Sequence, residues 1–175
     1  TMFAASLKPD LDEQWSKRFV VTQLPLNNGN PVAASQVIYA TAVDASGSIY
    51  LAGRFNGGVD MGSGSLTNTP NLAGTHSVIV TKLSSAGAHL WTRSFPSTGN
   101  SISLRLAPNG DPVLVATLRE PLVAPSGTVA AGVALLRFDP TGEVRWGRSF
   151  GSDTGLWLEV RVIDPPTGDI WLGGD

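Results

Sequence analysis

Apolar and polar residues alternate over residues 78–83, and this alternation predicts a β-strand. Neighbours in the run Val-Ile-Val-Thr-Lys-Leu fall on opposite faces of that strand, and its β-branched residues favour the extended conformation. The four residues that follow end in Gly87, as in a tight turn. The next stretch carries Trp91, Arg93 and Phe95 two positions apart, which places them on one face of a second strand. The pattern therefore predicts a β-hairpin.

The same hairpin is repeated along the chain. Residues 133–150 align with residues 78–95 without a gap, at a separation of 55 positions. A partial copy, Trp15-Ser-Lys-Arg-Phe19, lies near the N-terminus. Internal repetition fixes the architecture before any single element is assigned. Each copy carries an aromatic residue, a cation and a second aromatic residue on one strand face: Trp15, Lys17 and Phe19; Trp91, Arg93 and Phe95; Trp146, Arg148 and Phe150.

A cation between two aromatic rings suits either a ligand cage or packing against a neighbouring sheet. In the packing interpretation the Arg or Lys stem extends between the rings and adds a cation–π interaction. We favour packing, because a ligand site does not need to be present in every repeat.

Four-residue turns that end in glycine occur throughout the chain. Asp139-Pro-Thr-Gly142 is the clearest, since Asp suits the first position, Pro presets φ at the second and Gly accepts the left-handed conformation. Asp164-Pro-Pro-Thr-Gly168 is one residue longer. The remaining turns of this form end in Gly47, Gly87 and Gly110. They predict antiparallel strands joined by short hairpins.

Strands and turns divide the chain into units. Residues 1–12 are expected to be a lead-in or linker, and residues 13–175 a repeat region whose strand at 13–20 belongs to a preceding unit. The units that follow cover about 37–95, 96–150 and, incompletely, 151–175. The long connection at 57–75, rich in Gly, Ser, Thr and Asn, is expected to be a functional or a poorly ordered loop.

Four antiparallel strands in each unit predict an all-β fold built from β-propeller-type blades. About two complete repeats are present, with a partial one at each end. Two complete units cannot close a ring of roughly four to eight blades. We therefore expect either a fragment or a unit that assembles with another chain.

Composition and charge narrow the classes of function. The chain is 42% hydrophobic and only 15% charged, with 20 Gly and 12 Pro, which favours an all-β repeat protein over disorder. Its net charge of -2 and its lack of a basic run exclude nucleic acid and anionic membrane surfaces as expected partners. Absence of Cys excludes disulfides and thiolate sites, and no apolar run is long enough for membrane insertion.

Two segments of the first complete unit resemble the bacterial β-propeller repeat known as SBBP. They are Ala42-Val-Asp-Ala-Ser-Gly-Ser-Ile-Tyr-Leu-Ala-Gly53 and the stretch from Lys82 to Phe95. The second unit departs from the pattern, since it lacks the leading Asp and the closing Gly at the corresponding positions. The resemblance implies a β-propeller-type fold and an extracellular or cell-surface location in bacteria. It transfers no catalytic residue.

Candidate chemistry is sparse. His76 and His89 are the two histidines, and we expect neither a metal site nor a cofactor. Asp44, Asp139 and Asp164 stand where turn capping explains them better than calcium binding does. A Gly-x-Ser-x-Gly nucleophile motif is absent. The sequence therefore predicts no catalytic residue and a protein that is not an enzyme.

Trp157 and Trp171 lie outside the repeated tryptophan position. They are core residues if the sheet around them is covered, and a docking or sugar-stacking surface if it is open. We favour a core or interface role for both.

The preferred hypothesis is a non-catalytic binding or scaffold module that contacts protein, either itself or another chain, through open sheet edges. The alternative is a lectin-like module that binds glycans. An enzyme of the propeller type that acts on carbohydrates, with its site in a central funnel, is the least favoured.

Overall fold

A computed structural model describes residues 2–22, 35–67, 76–99, 101–151, 158–163 and 166–174. Within these ranges the chain forms β-strands and no helix, which confirms the predicted all-β fold. The strands are β1 (Met2–Leu7), β2 (Glu13–Thr22), β3 (Ser35–Val43), β4 (Ile49–Asn56), β5 (Gly58–Asp60), β6 (Ser65–Thr67), β7 (His76–Leu83), β8 (His89–Ser97), β9 (Ile102–Leu106), β10 (Pro112–Leu118), β11 (Leu122–Ala124), β12 (Gly127–Val129), β13 (Gly132–Phe138), β14 (Val144–Ser149), β15 (Leu158–Ile163) and β16 (Ile170–Gly174).

Two four-stranded antiparallel sheets form the centre of the fold, as predicted. Unit 1 has the order β3-β4-β7-β8, and unit 2 has the order β9-β10-β13-β14. Unit 0 contains β1 and β2, with β5 and β6 added beside β2, and unit 3 contains β15 and β16. The first strands of units 1, 2 and 3 contact one another in sequence, β3 with β9 and β9 with β15.

The predicted glycine turns are present with the expected geometry. In each, the glycine amide donates a hydrogen bond of 2.8–3.0 Å to the first turn residue, and φ is positive. A type I turn followed by a left-handed residue suits the twist of the strands it joins. The glycines and their φ values are Gly47 at 80°, Gly87 at 76°, Gly110 at 84° and Gly142 at 86°.

The prediction of a lead-in over residues 1–12 is wrong for Met2–Leu7, which form β1 and pair with β2. This hairpin is a further copy of the repeat, because Leu7 and Trp15 match Leu83 and Trp91 at one constant offset of 76 positions. Its turn has the same hydrogen bonds as the others, but Leu11 occupies the left-handed position, at φ 69°. The usual glycine is missing there, so the turn pattern did not reveal the hairpin.

Part of the connection at 57–75 forms β-strands. Residues 58–60 and 65–67 form β5 and β6, and β5 pairs with the end of β2 in unit 0. A chain segment that belongs to unit 1 in sequence thus extends the sheet of unit 0. Residues 68–75 lie outside the described part of the chain.

The core consists of three apolar clusters, each between two consecutive units. Phe19 of unit 0 packs with Leu51 and Ile79 of unit 1 in the first cluster. The second cluster joins units 1 and 2, and the third joins units 2 and 3. Each complete unit therefore buries one face against its predecessor and the other against its successor, as stacked repeats do.

Candidate functional site

A tryptophan on the fourth strand of unit 1 packs on a hairpin turn of unit 2. The Trp91 Nε1–H group donates a 3.0 Å hydrogen bond to the carbonyl oxygen of Pro140. A Cβ atom on Gly142 of the same turn would lie 2.7 Å from the Trp91 ring. Glycine at this position therefore permits both the left-handed turn and the close approach of the indole.

Units 0 and 1 make the same contact. The Trp15 Nε1–H group donates a 2.9 Å hydrogen bond to the carbonyl oxygen of Ser85, and a Cβ atom on Gly87 would lie 2.9 Å from the ring. We call this arrangement the Trp–turn contact: an indole N–H bonded to the second residue of a turn, with the ring against the fourth. We call the boundary between two consecutive units a seam. The Trp–turn contact occurs at the seam between units 0 and 1 and at the seam between units 1 and 2.

The cation two residues after each tryptophan reaches the same turn. Lys17 Nζ lies 3.5 Å from the carbonyl oxygen of Gly87. Arg93 donates a 3.3 Å hydrogen bond to the carbonyl oxygen of Thr141 and forms an ion pair with the Glu143 carboxylate. The cation of one unit therefore contacts the hairpin turn of the next unit.

The second aromatic position of each copy lies in the seam or beside its cation. Phe19 is fully buried, and Phe95 lies 6.1 Å from the Phe138 ring centroid. The Arg148 guanidinium lies 5.7 Å from the ring centroid of Phe150, which is exposed.

Unit 2 presents a third set of these side chains, at Trp146 and Arg148. Trp146 is half-buried at the edge of the cluster between units 2 and 3. Within the described ranges, however, no hairpin turn packs on Trp146 as Pro140–Gly142 packs on Trp91. In the part of the chain that the structure describes, this side of unit 2 therefore carries the tryptophan and the cation of a Trp–turn contact, with no turn packed on them.

A charged network lines an open cleft of about 440 Å³ between units 1 and 2. Lys82 Nζ lies 3.4 Å from an Asp44 carboxylate oxygen and 4.9 Å from the Tyr50 ring centroid. The Tyr50 hydroxyl donates a 3.2 Å hydrogen bond to Asp44. Burial opposes ionisation of Asp44, but hydrogen bonds from Ser46, Ser48 and Lys82 outweigh it and lower its pKa to about 2. Burial raises the pKa of Tyr50.

Unit 2 keeps this ion pair although its turn lacks the leading Asp. Arg137 occupies the position of Lys82 and lies 3.2 Å from a carboxylate oxygen of Asp111. Asp111 follows the turn glycine, whereas Asp44 precedes it, so the acid has moved four places while its partner has stayed. Because the ion pair is present in both complete units, we infer that its role is to stabilise the sheet.

We expect Asp44→Asn to remove a pH-dependent part of the stability. The ordinary pKa of Asp44 is 3.8 and the folded value is about 2, so its stabilising effect is complete above the higher value and disappears as the pH falls through the lower one. Thermal unfolding between pH 5 and about pH 2 tests this, with Asp12→Asn as the control at an exposed turn. If the melting temperature falls equally with pH in Asp44→Asn and in the unsubstituted chain, the prediction is contradicted.

The two histidines have local hydrogen-bond partners. His76 Nε2 lies 2.7 Å from the carbonyl oxygen of Gly99, and His89 Nε2 lies 2.9 Å from the Thr92 hydroxyl. Burial and the nearby Lys17 lower the pKa of His89. No group of three or more His, Asp or Glu side chains suited to a metal ion occurs among the described residues.

Several strands form sheet edges in the described part of the chain, and β1 and β16 are two of them. β1 pairs only with β2, and β16 pairs only with β15. Beside β1 lies an apolar cleft of about 460 Å³, lined in part by Phe3, Trp15 and Leu51. Phe3 is 72% exposed, and Trp171 on β16 is 64% exposed, so Trp171 is not a core residue of this chain. Trp157 lies outside the described residues.

The sequence singles out Trp171 as a candidate, but its turn pattern gives no sign of the edge strand β1. The sequence does contain one signal for this hairpin. Leu7 and Trp15 are eight residues apart, as are Leu83 and Trp91. This turn lacks the glycine that marks the other turns, because Leu11 holds the left-handed position.

Comparison with known proteins leaves the family open. The chain matches no protein-family model and no curated protein. In its described part, no helix is long and apolar enough to span a membrane.

Proposed function

We propose that this chain is a non-catalytic β-propeller-type binding or scaffold module of a secreted or surface-attached bacterial protein. It acts by associating with another chain through its open sheet edges. The observation that carries the proposal is that two of the edge strands, β1 and β16, carry strongly exposed aromatic side chains, Phe3 and Trp171. Unpaired edges offer a row of backbone donors and acceptors to an incoming strand.

The surroundings of both edges favour protein as the partner. Phe3, Leu7, Leu11 and Trp171 are all exposed, and three of them belong to one hairpin. Apolar side chains clustered beside an open edge mark an interaction surface, whereas scattered exposed ones need no explanation. Backbone hydrogen bonds supply affinity in strand addition, and alternate side chains supply specificity.

The charged residues support a structural role. Asp44 and Lys82 pair in unit 1, as Asp111 and Arg137 do in unit 2. A pair that is present in both complete units holds its sheet together, whereas catalytic groups do not need to be repeated.

A synthetic peptide spanning residues 76–97 tests the edge of β16, because it carries β7 and β8, which lie beside β4 in unit 1, and β16 aligns with β4 in sequence. We expect saturable binding of the labelled peptide to the chain, measured by fluorescence anisotropy with the peptide in excess. A peptide with proline at positions 79 and 81 is the control, since proline removes ladder hydrogen bonds. The chain shortened to residues 1–164, which lacks β16, should not bind. Equal binding by the shortened chain, or no binding at all, contradicts the proposal.

Glycan binding is the second candidate, because Trp171 exposes a broad apolar ring on β16. Aromatic rings of this kind stack on sugars as well as on protein. Binding to a glycan array that Trp171→Ala abolishes, in a chain that does not bind the peptide, favours this alternative.

A further inference from the structure

The β5–β6 hairpin of unit 1 covers the outer edge of β2 in unit 0. Its pairing with β2 is short, since only residues 58–60 take part, opposite Val20–Thr22. Two fully buried side chains of this segment, Val59 and Met61, pack in the cluster between units 0 and 1. A short pairing and a few apolar side chains therefore hold the hairpin, so it can open locally without unfolding of the complete units.

The turn of this hairpin lies against His89, at the beginning of β8. A Cβ atom on Gly62 would lie 2.8 Å from the His89 Cβ atom and 3.2 Å from Lys17 Nζ. The Asp60 carboxylate stabilises the turn by accepting hydrogen bonds of 2.7 Å from the Gly62 amide and 3.2 Å from the Gly64 amide. The hairpin turn, the imidazole and the Lys17 ammonium group are therefore packed together at the seam between units 0 and 1.

The surroundings of His89 favour its neutral form. Lys17 faces it from β2 with a positive charge, and Asp60 of β5 carries the opposing negative charge. β7 and β8 contribute hydroxyl groups: His89 Nε2 lies 2.9 Å from the Thr92 hydroxyl, which lies 3.0 Å from the Thr81 hydroxyl. Burial, and after it Lys17, lowers the pKa of His89 below its ordinary value of 6.5, against the smaller opposite effect of Asp60.

We propose that the β5–β6 hairpin is a pH-sensitive cover of β2, which detaches in mildly acidic solution when His89 binds a proton. A protonated His89 places a second positive charge beside Lys17 under the turn, and water hydrates this charge once the hairpin moves away. In the open form the pKa of His89 returns toward 6.5, so the closed form loses stability as the pH falls below 6.5. At higher pH His89 is neutral in both forms, and the hairpin stays closed.

Opening gives unit 0 a further strand edge. It exposes the backbone groups of Val20–Thr22 that pair with β5, and it uncovers part of the cluster in which Phe19 packs with Val59 and Met61. The inference goes beyond the proposed function, because it concerns β2 and not β1 or β16, and its test needs no partner.

Hydrogen–deuterium exchange with mass spectrometry at about pH 7.5 and about pH 5 measures the opening. After correction for the intrinsic effect of pH on exchange, we expect the opening equilibrium of residues 58–67 to rise severalfold at the lower pH, with an upper limit of about 30-fold set by the ordinary pKa of 6.5. Protection of β10 and β13 should not change. An equal loss of protection in all strands, or no change at residues 58–67, overturns the inference.

Two histidine variants assign the pH dependence. His89→Gln keeps a hydrogen-bonding group near Thr92 but does not bind a proton, so exchange at residues 58–67 should no longer depend on pH. His76→Gln is the matched control, because it removes the other histidine, at the opposite end of the β7–β8 pair, and should leave the pH dependence intact. Lys17→Gln removes the neighbouring positive charge and should reduce the rise at low pH. Retention of the full rise in His89→Gln overturns the inference.

Two glycine variants test the contact between the turn and His89. Gly62→Ala places a Cβ atom against His89 and should open the hairpin at about pH 7.5 as well. Gly64→Ala is the matched control: its φ is 98°, compared with 107° at Gly62, but no atom lies within 4 Å of its added Cβ, so it measures the strain of the turn alone. Equal opening in the two variants contradicts the contact on which the inference depends.

An NMR titration of the two imidazoles keeps the inference testable if a variant does not fold. The midpoint for His89 should lie below 6.5, and a midpoint at or above that value overturns the inference. These outcomes are separate from those of the proposed function, since the hairpin can open in a chain that binds no partner at β1 or β16, and can stay closed in one that does.

Discussion

Trp91→Ala is expected to lower the free energy of unfolding by about 3–5 kcal/mol. Trp91 is only 8% exposed and contacts Tyr50 and Phe138 in the cluster between units 1 and 2. Its removal leaves a large cavity at the seam and deprives the Pro140 carbonyl of its donor. Since native domains are stable by about 5–15 kcal/mol, this one seam accounts for a large share of the total.

Chemical denaturation of matched variants measures the effect. Trp91→Phe loses the N–H donor, but its smaller ring still keeps most of the packing. Loss of the hydrogen bond should therefore lower the free energy of unfolding by only about 1 kcal/mol. Trp146→Ala, measured in dilute solution where any association is absent, should cost clearly less than Trp91→Ala, because no turn packs on Trp146 in the described chain. Equal losses at positions 91 and 146 contradict the role assigned to the Trp–turn contact.

The sequence predicts most of the fold because its signals are local. Strand alternation, turn glycines and the 55-residue repeat are each visible within a few neighbouring residues, and units 1 and 2 follow from them. Gly142 was identified from turn chemistry alone, and the structure places it at φ 86°. The repeat also singles out Arg93. Its partner Glu143 lies 50 residues away, and no sequence pattern predicts that the two side chains pair.

What the sequence does not show depends on contacts between units. Leu11 takes the left-handed position of a turn, which a non-glycine residue rarely adopts, so β1 had no visible turn signal. β5 pairs with β2 although two strands of unit 1, β3 and β4, separate them in the chain, and no periodicity predicts that partner. Asp111 replaces Asp44 at another place in the turn, because the ion pair depends on distance to the cation and not on order in the chain.

Gly142→Ala is expected to lower the free energy of unfolding by about 2–5 kcal/mol. A side chain at φ 86° costs about 1–2 kcal/mol by itself. The added Cβ would also lie 2.7 Å from the Trp91 ring, so the indole must move out of a packed seam, which costs about a further 1–3 kcal/mol. Thermal and denaturant unfolding of the purified variant give the total.

Gly168→Ala separates the two causes. Gly168 has nearly the same conformation, at φ 76°, but no atom lies within 4 Å of its added Cβ, so only the backbone strain of about 1–2 kcal/mol should remain. Without the Trp91 ring, Gly142→Ala should cost no more than Gly168→Ala. The double variant Trp91→Ala/Gly142→Ala measures this coupling directly. Additive losses in that double variant would mean that the ring and the turn do not act together, and that glycine at position 142 serves the turn alone.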